Sequence, residues 1–425
     1  MSEIDWDRPA VRVADEGFMG RAIELARRGR GGAEPNPMVG CVLVVEPGGG
    51  PGGGPGGKSN GEVTGEIIGE GWHRQCGGPH AEVNAVGDAR RRAADRVAGC
   101  TAYVTLEPCC HHGRTPPCTD LLIEAKIGRV VVGAVDPFEA VGGGGIARLR
   151  AAGIEVSVGC LADRCKDLIA PFAKRVRTGL PWVRAKWAMT MDGRIATASG
   201  SSRWVTGEAA RADVHRVRAA CDGILVGMGT IEADDPVLTA RPTGAVMDLG
   251  ELGEAPEANR TLHRMVICRR RVPSIDGRLM RSIDDAPVHL VVGQAVSDAM
   301  CRPLAAAGAV VHRSAGGDRS LAWFAVEVAG ELSMSHLIVE GGSAILGAFF
   351  DDALVDQCDV YVGARVLGGA GALSPVGGVG AAMMGEASEF RLCDVEQLGG
   401  DVKLRYRRVG EGMGPGHGEK SAATR

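Results

Sequence analysis

The sequence predicts an α/β protein of two layered domains, on three observations. Apolar strand patterns alternate with helical ones along most of the chain, the signature of sheets covered by helices. At 425 residues the chain is too long for one ordinary domain, which spans roughly 100–200 residues. The alternation also falls into two series, separated by a long helical segment within residues 161–180.

The elements follow in order. In "GFMGRAIELARRG", Phe18, Ala22, Ile23, Leu25 and Ala26 share one helical face. "VGCVLVV" reads as a buried strand and "EIIGEGWH" as its returning partner. Between them lies "GGGPGGGPGG", residues 48–57, a low-complexity segment unable to pack a core and read as a flexible hairpin tip. Helix "HAEVNAVGDARRRAAD", strand "TAYVTLE", helix "CTDLLIEAKI", strand "RVVVGAV", helix "GIARLRAAG" and strand "IEVSVG" complete a first domain over residues 1–160. "LADRCKDLIAPFAKRVRTG" is a linker helix, stopped by Gly179 with Pro181 beyond it. The second domain, residues 181–408, opens with strand "WVRAKWAM", helix "GEAARADVHRVRAA" and strand "GILVGMG". Strands "VHLVVG" and "HLIVE", helix "SAILGAFFDDAL" and a last sheet portion from "DVYVGARVL" to "VKLRYRRV" follow. Residues 409–425 read as a disordered tail. No internal repeat links the halves.

Composition narrows the function. With 45% hydrophobic and 24% charged residues the chain is an ordinary globular protein. A formal net charge of −4 offers no basic excess, which argues against nucleic acid or a membrane surface as partner. No apolar run approaches the ~18 residues of a membrane span, and the polar, acidic N-terminus is unlike a signal peptide. A cytoplasmic location is expected. The 13 cysteines are odd in number and scattered apart from one cluster, so they read as free thiols or ligands rather than a disulfide frame.

That cluster is "EPCCHHGRTPPC", Glu107 to Cys118. Upstream, "PHAEVNA" sets His80 and Glu82 two apart at a helix start. An H-x-E pair followed by P-C-x-x-C is the zinc-deaminase pattern. Here Pro108-Cys109 is present, His112 stands where the second cysteine belongs, and Cys118 comes later. A catalytic zinc wants three protein ligands and one water. His80 from one helix N-terminus, with Cys109 and Cys118 bracketing the start of the next, can supply them. The prolines at 116 and 117 would stiffen the loop between and suit a first helical turn. A closed four-ligand knot using Cys110 or His112 is the alternative; it would leave no place for water and no use for Glu82.

"EPCCHHGRTPPC" with "HAEVNAV", "PNPMVGCV" and "GEGWH" resembles the bifunctional deaminase–reductases of riboflavin biosynthesis. The resemblance implies a cytidine-deaminase-like three-layer domain holding one Zn2+ per chain on His80, Cys109 and Cys118. Cys110 stands where the family has Ser and would be a bystander. Zinc would acidify a bound water from a pKa of about 15.7 towards about 7, and Glu82 would carry the proton to the ring nitrogen and the leaving amine. Asn36 and His73 would contact substrate, although Asn36 also suits a plain turn before Pro37. His111 and His112 would line the pocket. Asp136 keeps the family's acidic contact in "DPFEAVGGGG", while Phe138 replaces an Asn.

The second half lacks GxGxxG, so a Rossmann fingerprint is absent. "ILVGMGT" and "LIVEGGSAILG" are strands ending in Gly-rich turns, suited to phosphates or to nothing more than a turn. "KWAMTMDGRIATASGSSRWVTG" and "GTIEADDPVLTARP" resemble the reductase half of the same family, so the resemblance runs from about Gly17 to about Arg408. It implies a dihydrofolate-reductase-like fold and NADPH. Ala188, Trp204, Thr230, Asp234, Gly341 and Gly342 would face the cofactor. Lys186, Ser202, Arg218, Leu238, Arg241 and Glu340 would face a pyrimidine ribosyl phosphate, whose phosphate suits the arginine fork. Cys268 and Arg269 replace the family's Asp-Ser, and Arg269 to Arg271 form a run at that turn. Arg269 is assigned to the NADPH 2′-phosphate, with a solvated charge run as the bland alternative. The implied reactions are hydrolytic deamination of 2,5-diamino-6-(5-phosphoribosylamino)pyrimidin-4(3H)-one, then reduction of the ribosyl group to ribityl. A homo-oligomer is expected. A tRNA or nucleoside deaminase fused to an unrelated reductase would want a basic surface and the short cysteine gap. An inactive scaffold would not need His80, Glu82, Cys109 and Cys118 intact.

Overall fold

The computed structural model describes residues 13–46, 65–112, 116–138, 142–241, 262–316 and 320–409. The Gly/Pro segment 48–57 and residues 410–425 of the tail lie outside the described residues. The described residues divide into two compact units, one up to Arg177 and one from Thr178. No described helix is long and apolar enough to cross a membrane.

The first unit is a five-stranded sheet between two helical layers. Its elements are α1 (Val13–Arg27), β1 (Gly40–Val45), β2 (Glu66–Trp72), α2 (Ala81–Ala93), β3 (Thr101–Leu106), α3 (Cys118–Glu124), β4 (Arg129–Ala134), α4 (Gly144–Ala151), β5 (Glu155–Val158) and α5 (Ala162–Thr178). The strand order is β2-β1-β3-β4-β5. β1 is antiparallel to β2 and β3, and β3, β4 and β5 run parallel. Period-2 alternation sorts the faces. Cys41, Leu43, Val104 and Val132 pack with α2, α3 and α4 through Ala85, Leu122 and Leu149. Val42, Val44, Tyr103 and Val131 pack with α1 through Met19, Ala22 and Ile23. The segment read as a linker helix joins this second layer, since Cys165 and Ile169 of α5 are buried in the same cluster. Asp15 accepts hydrogen bonds from Tyr103 and both ends of the Arg129 guanidinium, which pins α1 to the sheet. α2 lies directly on β2: a Cβ on Gly71 would come 2.3 Å from the Ala85 amide nitrogen, so only glycine allows this approach. That contact fixes where the N-terminus of α2 delivers His80 and Glu82.

The second unit is a nine-stranded sheet of order β10-β9-β8-β7-β11-β6-β12-β14-β13. Its strands are β6 (Trp182–Thr190), β7 (Gly223–Gly227), β8 (His263–Cys268), β9 (Val288–Val292), β10 (Val310–Arg313), β11 (His336–Glu340), β12 (Gln357–Gly363), β13 (Phe390–Leu398) and β14 (Asp401–Arg408). Its helices are α6 (Glu208–Ala219), α7 (Met228–Asp234), α8 (Arg278–Arg281), α9 (Asp298–Ala306), α10 (Leu321–Glu331) and α11 (Ser343–Asp351). From β10 to β12 the strands are parallel; β14 and β13 close the sheet antiparallel. α10 and α11 cover one face with Leu225, Leu337 and Val339 beneath them. α7, α8 and α9 cover the other over Ile224, Val226 and Ile338. One expectation is corrected here. "GILVGMG" is not strand throughout: β7 ends at Gly227 and α7 begins at Met228. Met228 and Ile231, three apart, pack against that second face, a spacing that the two flanking glycines hide in the sequence.

Candidate active sites

In the first unit three candidate ligand atoms converge. His80 occupies the N-cap position of α2 in extended conformation. Its Nδ1 lies 3.6 Å from Cys109 Sγ and 3.3 Å from Cys118 Sγ. All three ligand atoms lie within 4.8 Å of one another, and no other such group was found among the described residues. Cys109 follows β3, and Cys118 is the first residue of α3, whose N–H points at Cys109 Sγ over 3.3 Å. Hydrogen bonding from Cys118 and then from His80 favours the thiolate of Cys109 against its burial. Two thiolates and one imidazole form a donor set that fits a catalytic zinc and leaves a fourth position for water. Cys110 and His112 stand outside this group, so the knot alternative has no geometric support. Glu82, in the first turn of α2, is 3% exposed. Burial pushes its carboxyl up, the state of a group that must take and give a proton.

The neighbouring assignments fall into one chain of contacts. Asn36 Nδ2 lies 3.2 Å from His73 Nε2, His73 Nδ1 lies 3.1 Å from the Pro79 carbonyl, and the His73 and His80 rings meet edge to face at 5.4 Å. Asn36 therefore does more than turn the chain before Pro37. Asp136 follows β4, and its carboxyl is raised chiefly by burial, with His111 close enough to oppose the shift. His111 and His112 are exposed, as is Phe138. Asn84 was not singled out in the sequence; its Nδ2 donates to the Trp72 carbonyl at 2.8 Å and ties α2 to β2. Nor was Glu107, a buried carboxylate at the zinc turn.

In the second unit the site residues gather at the C-terminal ends of parallel strands, where ligands of such sheets bind. Glu340 ends β11 beside Lys186 of β6. Arg218 of α6 donates from Nε and Nη2 to Glu340 at 2.6 and 2.9 Å, and Lys186 Nζ donates to it at 3.3 Å. Burial alone would raise the Glu340 carboxyl; Arg218 and Lys186 hold it down to about 2. Arg218 is therefore held, half-buried, in an ion pair and not on a solvated face. Arg241 is exposed, and its backbone N–H donates to His215 Nδ1 at 3.3 Å. Burial, with Arg218 and Arg241 adding to it, pushes His215 down to about 4. His215 was not singled out in the sequence, although "VHRVR" places it one turn before Arg218. Leu238 is 3% exposed with φ of 58°, and its side chain is core.

The cofactor assignments lie on adjacent strand ends. Thr230 is in the first turn of α7, after β7. Gly341 follows the neighbouring β11, and a Cβ there would lie 3.5 Å from Thr230 Oγ1. Gly342 is the N-cap of α11. Ala188 is on β6. Trp204 is 59% exposed, with the Arg211 guanidinium 4.6 Å and that of Arg203 5.9 Å from its ring centre. Arg203 Nη2 also reaches Asp234 Oδ1 at 3.2 Å, beside the exposed Ser202. Arg269 is exposed just past β8, while its neighbour Arg271 pairs with Glu232 at 2.8 Å.

Comparison with known families matches this division. Residues 12–134 match the "Cytidine and deoxycytidylate deaminase zinc-binding region" and residues 181–404 the "RibD C-terminal domain". The chain is thus a zinc deaminase joined to a reductase domain. Across nearly its whole length it resembles riboflavin biosynthesis protein RibD of Actinobacillus pleuropneumoniae, at 37% identity over 93% of this chain and 95% of that one. The Escherichia coli K12 protein is 36% identical over 92% of this chain and 99% of its own. The solved structure of Acinetobacter baumannii RibD superposes with a TM-score of 0.71 at 33% identity, covering 94% of this chain and 100% of that one. A Thermotoga maritima deaminase/reductase also gives 0.71, at 32% identity over 93% and 99% of the two chains. The chain belongs to the RibD family, bifunctional enzymes of riboflavin biosynthesis with a zinc-dependent deaminase and an NADPH-dependent reductase.

Proposed function

We propose that residues 1–160 deaminate 2,5-diamino-6-(5-phosphoribosylamino)pyrimidin-4(3H)-one and residues 181–408 reduce the product's ribosyl group to ribityl, with 161–180 joining them. The observation that carries the reading is the convergence of His80 Nδ1 on the Cys109 and Cys118 sulfurs, with Glu82 buried one step along α2. His80, Cys109 and Cys118 would hold one Zn2+ per chain, which would supply an acidified water at neutral pH. Glu82 moves the proton to the ring nitrogen and then to the departing amine, which leaves as ammonia. Asn36, His73, His111 and Asp136 orient the pyrimidine.

In the second unit a bound NADPH would supply a hydride for C1′ of the open imine form of the sugar. Ala188, Trp204, Thr230, Asp234, Gly341 and Gly342 would position the cofactor, and Arg269 would take its 2′-phosphate. Arg218, Arg241 and Lys186 bring positive charge to the substrate phosphate, Ser202 and Leu238 complete its pocket, and Glu340 fixes the guanidinium of Arg218 and the ammonium of Lys186. No covalent bond to the protein is needed, so position and exclusion of water do the work. The enzyme acts in the cytoplasm as a homo-oligomer. Supporting the oligomer, the edge strand β13 exposes Leu392 and Val395, and the stretch before it exposes Val379, Met383 and Met384.

The test separates the two reactions. Glu82→Gln should keep its zinc and lose deamination by about 10²–10⁴-fold, the usual worth of a general acid–base. The same protein should still reduce pre-deaminated substrate with NADPH at the wild-type rate. Loss of both reactions in a folded variant would defeat the assignment.

A further inference from the structure

Glu107 immediately precedes Pro108 and the metal-ligand candidate Cys109, and it is 4% exposed. Four backbone N–H groups donate to its carboxylate. Oε2 accepts from Asp136 at 3.2 Å and from Gly143 at 2.9 Å. Oε1 accepts from Gly145 at 2.9 Å and from Ile146 at 3.1 Å. The donors come from two places, the Asp136 turn after β4 and the first turn of α4. The N-cap of α4 is Gly143, at φ of 85° and with no side-chain cap. Glu107 therefore caps α4 from the turn after β3, where the free N–H groups and the helix dipole both favour an anion.

The glycine run makes this possible. A Cβ on Gly145 would lie 2.0 Å from the Pro108 carbonyl oxygen, and one on Gly144 3.0 Å from Cys110 Sγ. The backbone of "GGGG" is thus pressed against the zinc turn itself. One carboxylate joins three things: the turn bearing Cys109, the backbone of Asp136, and the start of α4.

We propose that Glu107 is a positioning residue of the deaminase: it sets the place of Asp136 relative to the metal ligands by holding both to one carboxylate. The inference rests on Asp136 being a substrate contact. Glu107 touches no reacting atom; it acts through Asp136.

Glu107→Gln tests this in the zinc-loaded full-length enzyme. The amide has one acceptor oxygen, and its NH2 turns towards two donors, so half of the clamp is lost. Zinc content and reductase rate should stay at the wild-type level. KM for the diaminopyrimidine ribosyl phosphate should rise about tenfold, with kcat within about threefold, because positioning and not proton transfer is impaired. Asp136→Ala should raise KM similarly, and the double variant should exceed Asp136→Ala by little, since both changes break one path. Unchanged KM in Glu107→Gln, or full multiplication of the two effects, overturns the proposal. Unchanged KM in Asp136→Ala overturns instead the reading of Asp136, and with it the route through that residue. Should the Gln variant fail to fold, Glu107→Asp keeps the charge with a shorter reach; a rise of roughly threefold in KM is then expected, and none would be refuting.

Discussion

Replacing Glu340 with Gln would remove one negative charge from between two cations and change almost nothing in shape. The side chains of Arg218, Lys186 and Glu340 are 16%, 14% and 9% exposed, so water can do little to compensate. Despite burial, which would raise it, the Glu340 carboxyl is held by Arg218 and Lys186 at about 2, against an ordinary value of 4.5. By linkage that displacement is worth about 3 kcal/mol, at the lower end of the ~3–5 kcal/mol for breaking a buried pair by removing one partner. The folded-state value is the depressed one. The contribution is therefore complete above the unfolded value and is lost as the pH falls through about 2. Urea unfolding followed by tryptophan fluorescence reads this, because Trp182, Trp187, Trp204 and Trp323 all report on the second unit. At pH 7 the Gln variant should be less stable by about 3 kcal/mol, and at pH 3 by less than half of that. A difference below about 1 kcal/mol at pH 7, or the same difference at both pH values, would refute the reasoning.

Two further outcomes are expected. Cys109→Ser and Cys118→Ser should each lose the metal, while Cys110→Ser keeps zinc and deaminase activity; metal analysis of the three purified variants decides, and zinc loss from Cys110→Ser would sink the ligand set. Arg269→Ala should weaken NADPH by roughly 10–100-fold, one charge-assisted bond, and leave NADH nearly unchanged; equal small losses for both cofactors in parallel titrations would return the arginines to a solvated run.

The zinc group was legible because its chemistry is local: His80 and Glu82 sit in one turn, and Cys109 and Cys118 bracket another. The buried face of α1 was legible for the same reason, its apolar residues recurring at helical spacing. What escaped notice depended on partners far along the chain. Glu107 looks like a surface acid until four N–H groups from residues 136–146 arrive at it, and the glycines that allow this look like an irregular departure from the family. His215 gains meaning only from the Arg241 amide. Four of the unread elements escaped for reasons of pattern. α9 carries Pro303 in its interior, β10 is only four residues long, and β13 is an edge strand with few buried residues to mark it. α10 is apolar almost all round and so lacks a clear polar face.

The sheet order of the second unit also constrains how the chain is made. β6 is the first of its strands to leave the ribosome, yet both strands that flank it, β11 and β12, begin only at His336 and Gln357. At ~5–20 residues per second, β6 waits on the order of 7–30 s for its first neighbour. Throughout that interval Trp182, Val183 and Ala185, buried in the finished fold, lie on a strand with no neighbour to pair with. The first unit, whose strands are all complete by Val158, can already be folded and can bind its metal. The nascent protein thus passes through a stage at which one end is finished and the other offers an unpaired apolar strand, and it is there that a chaperone would find its binding site.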